Sequence, residues 1–250
     1  MAGEDERKRL IDLLIHDLVG PLSVVSTTVS NLLCKPERYG PVTDRQRSAL
    51  ERILRNSRKV QTLIQEMLEI SRSEEGIFQK ESFPVDKVLR ESLLDAMETT
   101  ISEVAEKLCR VEDEREFVSL LEAHGILINT SGKYCHTPFC HDRRKIHQIL
   151  RNLISNALKY RRKRLTLCIS GEQDLIVSVE DDGIGIPPGD QQIIFKRFVR
   201  LKDPRNIDLP GLGLGLAGVK SLVDAMGGKI ILESREGVGT CLTVHIPPLG

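Results

Sequence analysis

The sequence predicts an α+β chain in two parts. An N-terminal helical hairpin forms a dimeric four-helix bundle, and a C-terminal two-layer α/β sandwich follows it. Three observations predict this. Residues 10–68 place apolar side chains at three- and four-residue spacing in two long runs. Beyond residue 77 the pattern changes to short apolar strand segments interleaved with amphipathic helix. The 250 residues suffice for one large domain or two small ones. The division falls at 1–76 and 77–250.

The first helix carries Leu10, Ile11, Leu14, Ile15, Leu18, Leu22, Val25, Val29, Leu32 and Leu33, one apolar stripe. A loop over 35–42, with Pro36, Gly40 and Pro41, breaks it. Thr43-Asp-Arg-Gln46 then forms a capping box that opens a second helix, which stops near Gly76. Stripes this long cannot be buried within one hairpin. Two hairpins joined as a bundle can bury them, so the pattern predicts a homodimer.

In the second part, 78–85 predicts a short strand and 85–109 a helix. Residues 117–123 resume helix after a charged stretch, and 126–129 predicts a strand. Residues 142–160 form a strongly amphipathic helix, and strands follow at 165–170 and 175–180. A helix over 214–226 and a hairpin of 229–234 with 240–246 close the chain.

Composition excludes several function classes. Lys+Arg and Asp+Glu both number 36, so net charge is zero and a general nucleic-acid binder is not expected. There is no Trp, with 3 Tyr and 6 Phe, too few for stacking on single strands. No apolar run approaches the ~18–20 residues that span a bilayer. The charged N-terminus is unlike a signal peptide. These features predict a cytoplasmic chain whose six cysteines are thiols.

Two places carry chemistry. His16 lies about 200° around the helix from Leu14, off the apolar stripe. Asp17 follows it, and Pro21 removes the N–H that the Asp17 carbonyl would otherwise accept. A carboxylate can fix one imidazole nitrogen and leave the other as a nucleophile.

The second place is assembled from separated motifs. Asn152 and Asn156 are one helical turn apart, opposite Ile149, Leu150, Leu153, Ile154 and Leu158, and Lys159 and Tyr160 end the same helix. Amides can ligand Mg²⁺, and lysine can meet phosphate. In isolation the Asn pair reads better as the wet face of an amphipathic helix. Glu180-Asp-Asp-Gly183-Ile-Gly185 follows a strand, and Asp182 can accept from an exocyclic amine such as that of adenine. Gly211-Leu-Gly213-Leu214-Gly215-Leu216 opens a helix, where free N–H groups and the dipole favour phosphate. Between them lie Phe195, Lys196, Arg197, Phe198 and Arg200, the composition of a basic lid.

In this order, the motifs resemble the catalytic core of bacterial sensor histidine kinases. His16 to Leu22 is similar to the H box and Asn152 to Tyr160 to the N box. Asp182 to Gly185 is similar to the first G box, Phe195 to Phe198 to the F box, and Gly211 to Leu216 to the second G box. The resemblance spans nearly the whole chain and implies a sandwich of the histidine kinase ATPase type. It implies that His16 accepts the γ-phosphoryl of ATP and Asp17 orients and deprotonates it. Asn156 would hold Mg²⁺, with Asn152, Lys159, Lys196, Arg197 and Arg200 near the phosphates. Gly183, Gly185, Gly211, Gly213, Leu214, Gly215 and Leu216 would shape the pocket. Asp182 would read adenine, with Tyr160 beside the nucleotide. The phosphoryl group would pass to an Asp of a response regulator receiver domain.

Several features depart from that pattern. Gly20 stands where the family often has Thr or Asn to position water, which implies weak phosphatase activity. Leu212 replaces a common hydroxyl residue, and 100–123 is about one helix longer than usual. Cys135-His-Thr-Pro-Phe-Cys140-His141 gathers four potential ligands in seven residues without a second downstream pair. It reads as a loop into the next helix, with metal or redox sensing as the alternative. The motifs use nearly all the length, so the chain is expected to be a fragment of a larger sensor or to take its input from a partner. Rival readings are a scaffold with a degenerate nucleotide domain and an ATPase of the gyrase type.

Overall fold

The computed structural model describes residues 2–73, 78–111, 113–201 and 213–250. The chain divides into two units, Met1–Arg72 and Ser73–Gly250.

The first unit contains α1 (Ala2–Cys34), α2 (Pro36–Tyr39) and α3 (Asp44–Ser73). The expected loop at 35–42 therefore includes one helical turn. Pro36 opens it, at a position whose N–H would have no partner anyway, and the Gly40 N–H returns to the Pro36 carbonyl. The capping box forms as expected. Thr43 N–H donates to Gln46 Oε1 at 2.9 Å, and Gln46 N–H donates to Thr43 Oγ1 at 3.3 Å.

Where α1 meets α3, the seam is partly polar. Val29 and Ile64 are buried, and so is Ser57. The Ser57 hydroxyl donates to the Leu22 carbonyl at 3.2 Å and lies 2.9 Å from Ser26 Oγ. Gln61 Nε2 donates to Ser23 Oγ at 3.3 Å. The expected stripe is only partly used here, because Leu18 and Val25 remain 52% and 41% exposed.

The second unit is a mixed sheet of five strands, in the order β2 (Ile126–Thr130), β4 (Leu165–Ser170), β5 (Leu175–Asp181), β7 (Gly239–Ile246) and β6 (Lys229–Arg235). β2 and β4 are parallel; the remaining pairs are antiparallel. Side chains alternate across the pleat. Leu165, Leu167, Ile169, Leu175, Val177, Val179, Leu242, Val244 and Ile246 are buried on one face. The intervening Thr166, Cys168, Ser178 and Thr243 are half-buried on the other. Against the buried face lie α7 (Arg143–Tyr160) and α8 (Gly215–Ala225), and α4 (Val85–Glu98) packs on α7.

Two expectations are corrected. The helix predicted over 85–109 is two helices, α4 and α5 (Ser102–Cys109). The break has a local cause, since the hydroxyls of Thr99 and Thr100 both donate to the Ala96 carbonyl, at 3.0 and 2.9 Å. Asp113 then caps α6 (Glu114–Ala123) by accepting from Glu116 N–H at 2.9 Å.

The Cys135–His141 stretch is not a plain loop. It contains a 3₁₀ turn, Lys133–Cys135, and the strand β3 (Phe139–His141), paired antiparallel with β1 (Glu81–Phe83). His141 is buried, stacked on Phe139, and its Nδ1 accepts the Asp142 N–H at 2.7 Å. Burial pushes its pKa down, against the pull of Asp142. Among the described residues, no group of three or more His, Cys, Asp or Glu side chains is placed to hold a metal. No helix among them is long and apolar enough to cross a membrane.

Candidate nucleotide site

α7 supplies one wall of the site. Its apolar face of Ile146, Ile149, Leu150, Leu153, Ile154, Ala157 and Leu158 is buried, which turns the half-buried Asn152 and Asn156 to another side. Asp142 fixes the helix start, with Oδ1 accepting from Lys145 N–H at 3.1 Å and Oδ2 from Gln79 N–H at 3.0 Å. Lys159 and Tyr160 form the last turn, both half-buried.

The opposite wall is the start of α8. Leu214 is its N-cap and is buried, and Leu216 packs on the core. A Cβ on Gly215 would stand 3.9 Å from Asn152 Cγ and Oδ1 and from Asn156 Nδ2. Two amide side chains thus face the glycine that opens a helix, where backbone N–H groups have no intrahelical acceptors.

The segment before α8 is tied to this wall, with Phe198 N–H donating to the Gly213 carbonyl at 2.9 Å. Phe198 has φ +64°, an uncommon conformation for a bulky residue, and is 60% exposed. Lys196, Arg197 and Arg200 are exposed around it, and Phe195 packs against the core. Gly211 and Leu212 lie outside the described residues. His16 and Asp17 belong to α1, but their side chains also lie outside the described residues.

The end of β5 separates two adjacent acids. Asp181 continues the buried face of Leu175, Val177 and Val179 and is itself 8% exposed. Its Oδ1 accepts the Gly183 N–H at 2.9 Å. Burial pushes its pKa up to about 6; the Gly183 amide opposes this, and the charges of Asp182 and Glu180 add to it. A Cβ on Gly183 would collide with the Tyr160 carbonyl oxygen and approach Asp181 Oδ1, so glycine lets β5 end against the last turn of α7. Gly185, at φ +66°, passes against the Arg235 carbonyl in the same way.

Asp182 points to the other side of the pleat. Its Oδ1 accepts from the N–H groups of Arg162, Lys163 and Arg164 at 3.0, 3.0 and 2.9 Å. Desolvation would raise its pKa, but these amides outweigh that and hold it below the ordinary carboxylate range. The carboxylate assigned to adenine in the sequence is therefore engaged with the turn after α7, while its neighbour Asp181 sits buried at the end of α7. The sequence reading did not single out Asp181. The alternation Leu175, Val177, Val179, Asp181 was the signal that could have found it.

Comparison with known proteins places both parts of the chain in known families. Residues 6–76 match the profile of the His Kinase A (phospho-acceptor) domain. Residues 141–250 match that of the histidine kinase-, DNA gyrase B-, and HSP90-like ATPase. The sensor histidine kinase WalK of Bacillus subtilis is 44% identical over 111 residues, 42% of this chain and 18% of that protein. The circadian input-output histidine kinase CikA of Thermosynechococcus vestitus is 32% identical over 239 residues, 94% of this chain and 30% of that protein. The chain thus spans less than a third of the length of either relative.

The crystal structure of full-length ShkA in complex with AMPPNP has a TM-score of 0.71 at 23% identity, covering 96% of this chain and 46% of that one. That likeness speaks to the fold. A phospho-acceptor profile on the hairpin, an ATPase profile on the sandwich and similarity to CikA over 94% of this chain lead to one conclusion: the chain belongs to the histidine kinase family.

Proposed function

We propose that this chain is the core of a sensor histidine kinase: it transfers the γ-phosphoryl of ATP to His16 and then passes it to an Asp of a response regulator receiver domain. The observation that carries the reading is the facing of Asn152 and Asn156 against Gly215 at the start of α8, with buried Asp181 at the far end of α7. A polar cradle at a helix start suits a polyphosphate, and a buried acceptor one helix-end away suits a base. We assign adenine recognition to Asp181 rather than Asp182, because the Asp182 carboxylate already serves three backbone amides.

In the transfer, a nitrogen of His16 attacks the γ-phosphorus. The N–P bond forms, the bond to the β–γ bridging oxygen breaks, and ADP leaves. Asp17 orients the ring and takes its proton. Asn152, Lys159, Lys196, Arg197 and Arg200 hold and neutralise the phosphates, and Tyr160 lies beside the nucleotide. Such transfer depends mainly on positioning and charge neutralisation.

The donor set fits Mg²⁺, since an amide with no cage of carboxylates suits an ion that keeps phosphate and water ligands. Asn156 would hold it, and when bound it would neutralise phosphate charge. The exposed Leu18, Val25, Ile53 and Val60 support assembly of two hairpins into a homodimeric bundle. The domain roles follow: 1–76 for dimerisation and phosphotransfer, 77–250 for ATP. A cytoplasmic setting supplies the ATP, and an upstream sensor domain or partner supplies the signal. Gly20 is expected to leave regulator dephosphorylation weak.

The test is incubation with γ-labelled ATP and Mg²⁺. Acid-labile, base-stable label on the protein, lost in His16→Gln, supports the kinase. Hydrolysis without protein label would indicate a gyrase-like ATPase, and neither outcome a scaffold.

A further inference from the structure

The turn joining α7 to β4 is Arg161-Arg-Lys-Arg164, four consecutive cations at the end of a helix. Such a run repels itself and has no reason of its own to hold one shape. Its shape is imposed from outside. Three successive backbone N–H groups, of residues 162, 163 and 164, converge on Asp182 Oδ1 at 2.9–3.0 Å. Convergent amides of this kind form an anion nest, here filled by a side chain of the same protein. Asp182 N–H returns to the Arg164 carbonyl at 3.3 Å. Arg161 Nη1 donates to the His124 carbonyl at 3.0 Å, and Arg162 Nη2 to that of Gly237 at 3.0 Å.

What this knot holds is the nucleotide wall. Asp182 lies between Asp181, whose buried carboxylate faces the helix layer, and Gly183, whose backbone abuts the Tyr160 carbonyl. Gly239 presses on the same segment, because a Cβ there would strike the Asp181 carbonyl. The clamp at 162–164 therefore fixes the last turn of α7 and the end of β5 relative to each other.

We propose that Asp182 is a positioning residue of the nucleotide site: by gathering the amides of 162–164 it sets where Asp181 and the end of α7 meet the adenine base. This rests on the ATP reading above and adds to it a residue that does not touch the ligand.

The experiment uses the whole chain and two variants, Asp182→Ala and Asp182→Asn. Alanine removes the acceptor, while asparagine keeps one carbonyl oxygen in its place. Amide hydrogen exchange is read in nucleotide-free protein at residues 162–164, with Val177 and Val179 of the buried strand as the check on folding. ATP affinity is read on the same samples.

The expected result is fast exchange at 162–164 and at least tenfold weaker ATP binding in Asp182→Ala. In Asp182→Asn, exchange should remain protected and affinity should stay within about threefold of the parent. Asparagine that protects the amides but binds ATP as poorly as alanine would overturn the proposal, since the carboxylate would then act on the ligand directly. Unchanged ATP affinity in the alanine variant would overturn it as well. Parent protein that binds no ATP would instead overturn the nucleotide reading, and with it a role for Asp182 in that site. The exchange arm would still show whether the clamp exists.

Discussion

The two units bury their apolar residues very differently. In the sandwich, β4, β5, β7, α4, α7 and α8 close around one core that includes Phe139, Ile149, Leu153 and Val177, all essentially inaccessible. In the hairpin, among the described residues, only Val29 and Ile64 are buried apolar side chains, beside the buried hydroxyl of Ser57. Leu18, Val24, Val25, Ile53 and Val60 stay 40–65% exposed. A region that completes its own core can keep a ligand site rigid. A region that leaves its apolar face open suits the proposed assembly with a second copy.

The largest effect should come from opening the closed core. Phe139→Ala should destabilise the sandwich by about 3–5 kcal/mol, read as a lower midpoint of its own unfolding transition. Self-association through the hairpin should persist. Loss of self-association along with the sandwich would break the contrast between the units.

Asp181 offers a smaller effect of opposite sign. Its pKa of about 6 against the ordinary 3.8 means that the folded state resists ionisation there. A raised pKa gives stability that is fully present below pH 3.8 and lost as pH rises through 6. Asp181→Asn removes that loss, so above pH 7 it should stabilise the protein by up to about 3 kcal/mol, with no gain below about pH 4. ATP binding should fall severely at the same time. Destabilisation at neutral pH would sink the assignment of Asp181 as a strained ligand contact.

In the hairpin, Leu18 and Val25 are seven residues apart on one face, and Leu18→Glu with Val25→Glu should weaken self-association at least tenfold. A tenfold loss needs only about 1.4 kcal/mol, less than the roughly 1.5–3 kcal/mol that burying each side chain contributes. Ultracentrifugation over a concentration series reads it, and the sandwich should unfold as before. The smallest effect is expected at the polar seam. Ser57→Ala removes a hydroxyl that meets the Leu22 carbonyl and Ser26, at a cost of about 1 kcal/mol, visible only in the hairpin's transition.

Much of this was legible in the sequence, for physical reasons that can be named. Long periodic segments announce themselves, so α1, α3, α7, β4, β5, α8 and the closing hairpin follow from spacing alone. The short strand β3 did not, because three residues inside a Cys- and His-rich stretch show no alternation, and only pairing with β1 makes them a strand. The break after α4 depends on two threonine hydroxyls competing for one carbonyl, which propensity does not reveal. The seam of Ser23, Ser26, Ser57 and Gln61 was hidden because a polar residue in a stripe looks like its edge. Asp181 and Asp182 were separable in principle by the pleat, yet adjacent acids before a glycine look equivalent until one is seen holding the turn after α7.

The proposed mechanism divides the labour, with the phospho-acceptor on the hairpin and the nucleotide in the sandwich. The most direct measurement combines ATP binding with label transfer from γ-labelled ATP in two variants, His16→Gln and Asp181→Asn. His16→Gln should bind ATP like the parent yet carry no acid-labile label. Asp181→Asn should lose binding and label together. Label persisting in His16→Gln, or undiminished ATP binding in Asp181→Asn, would contradict it.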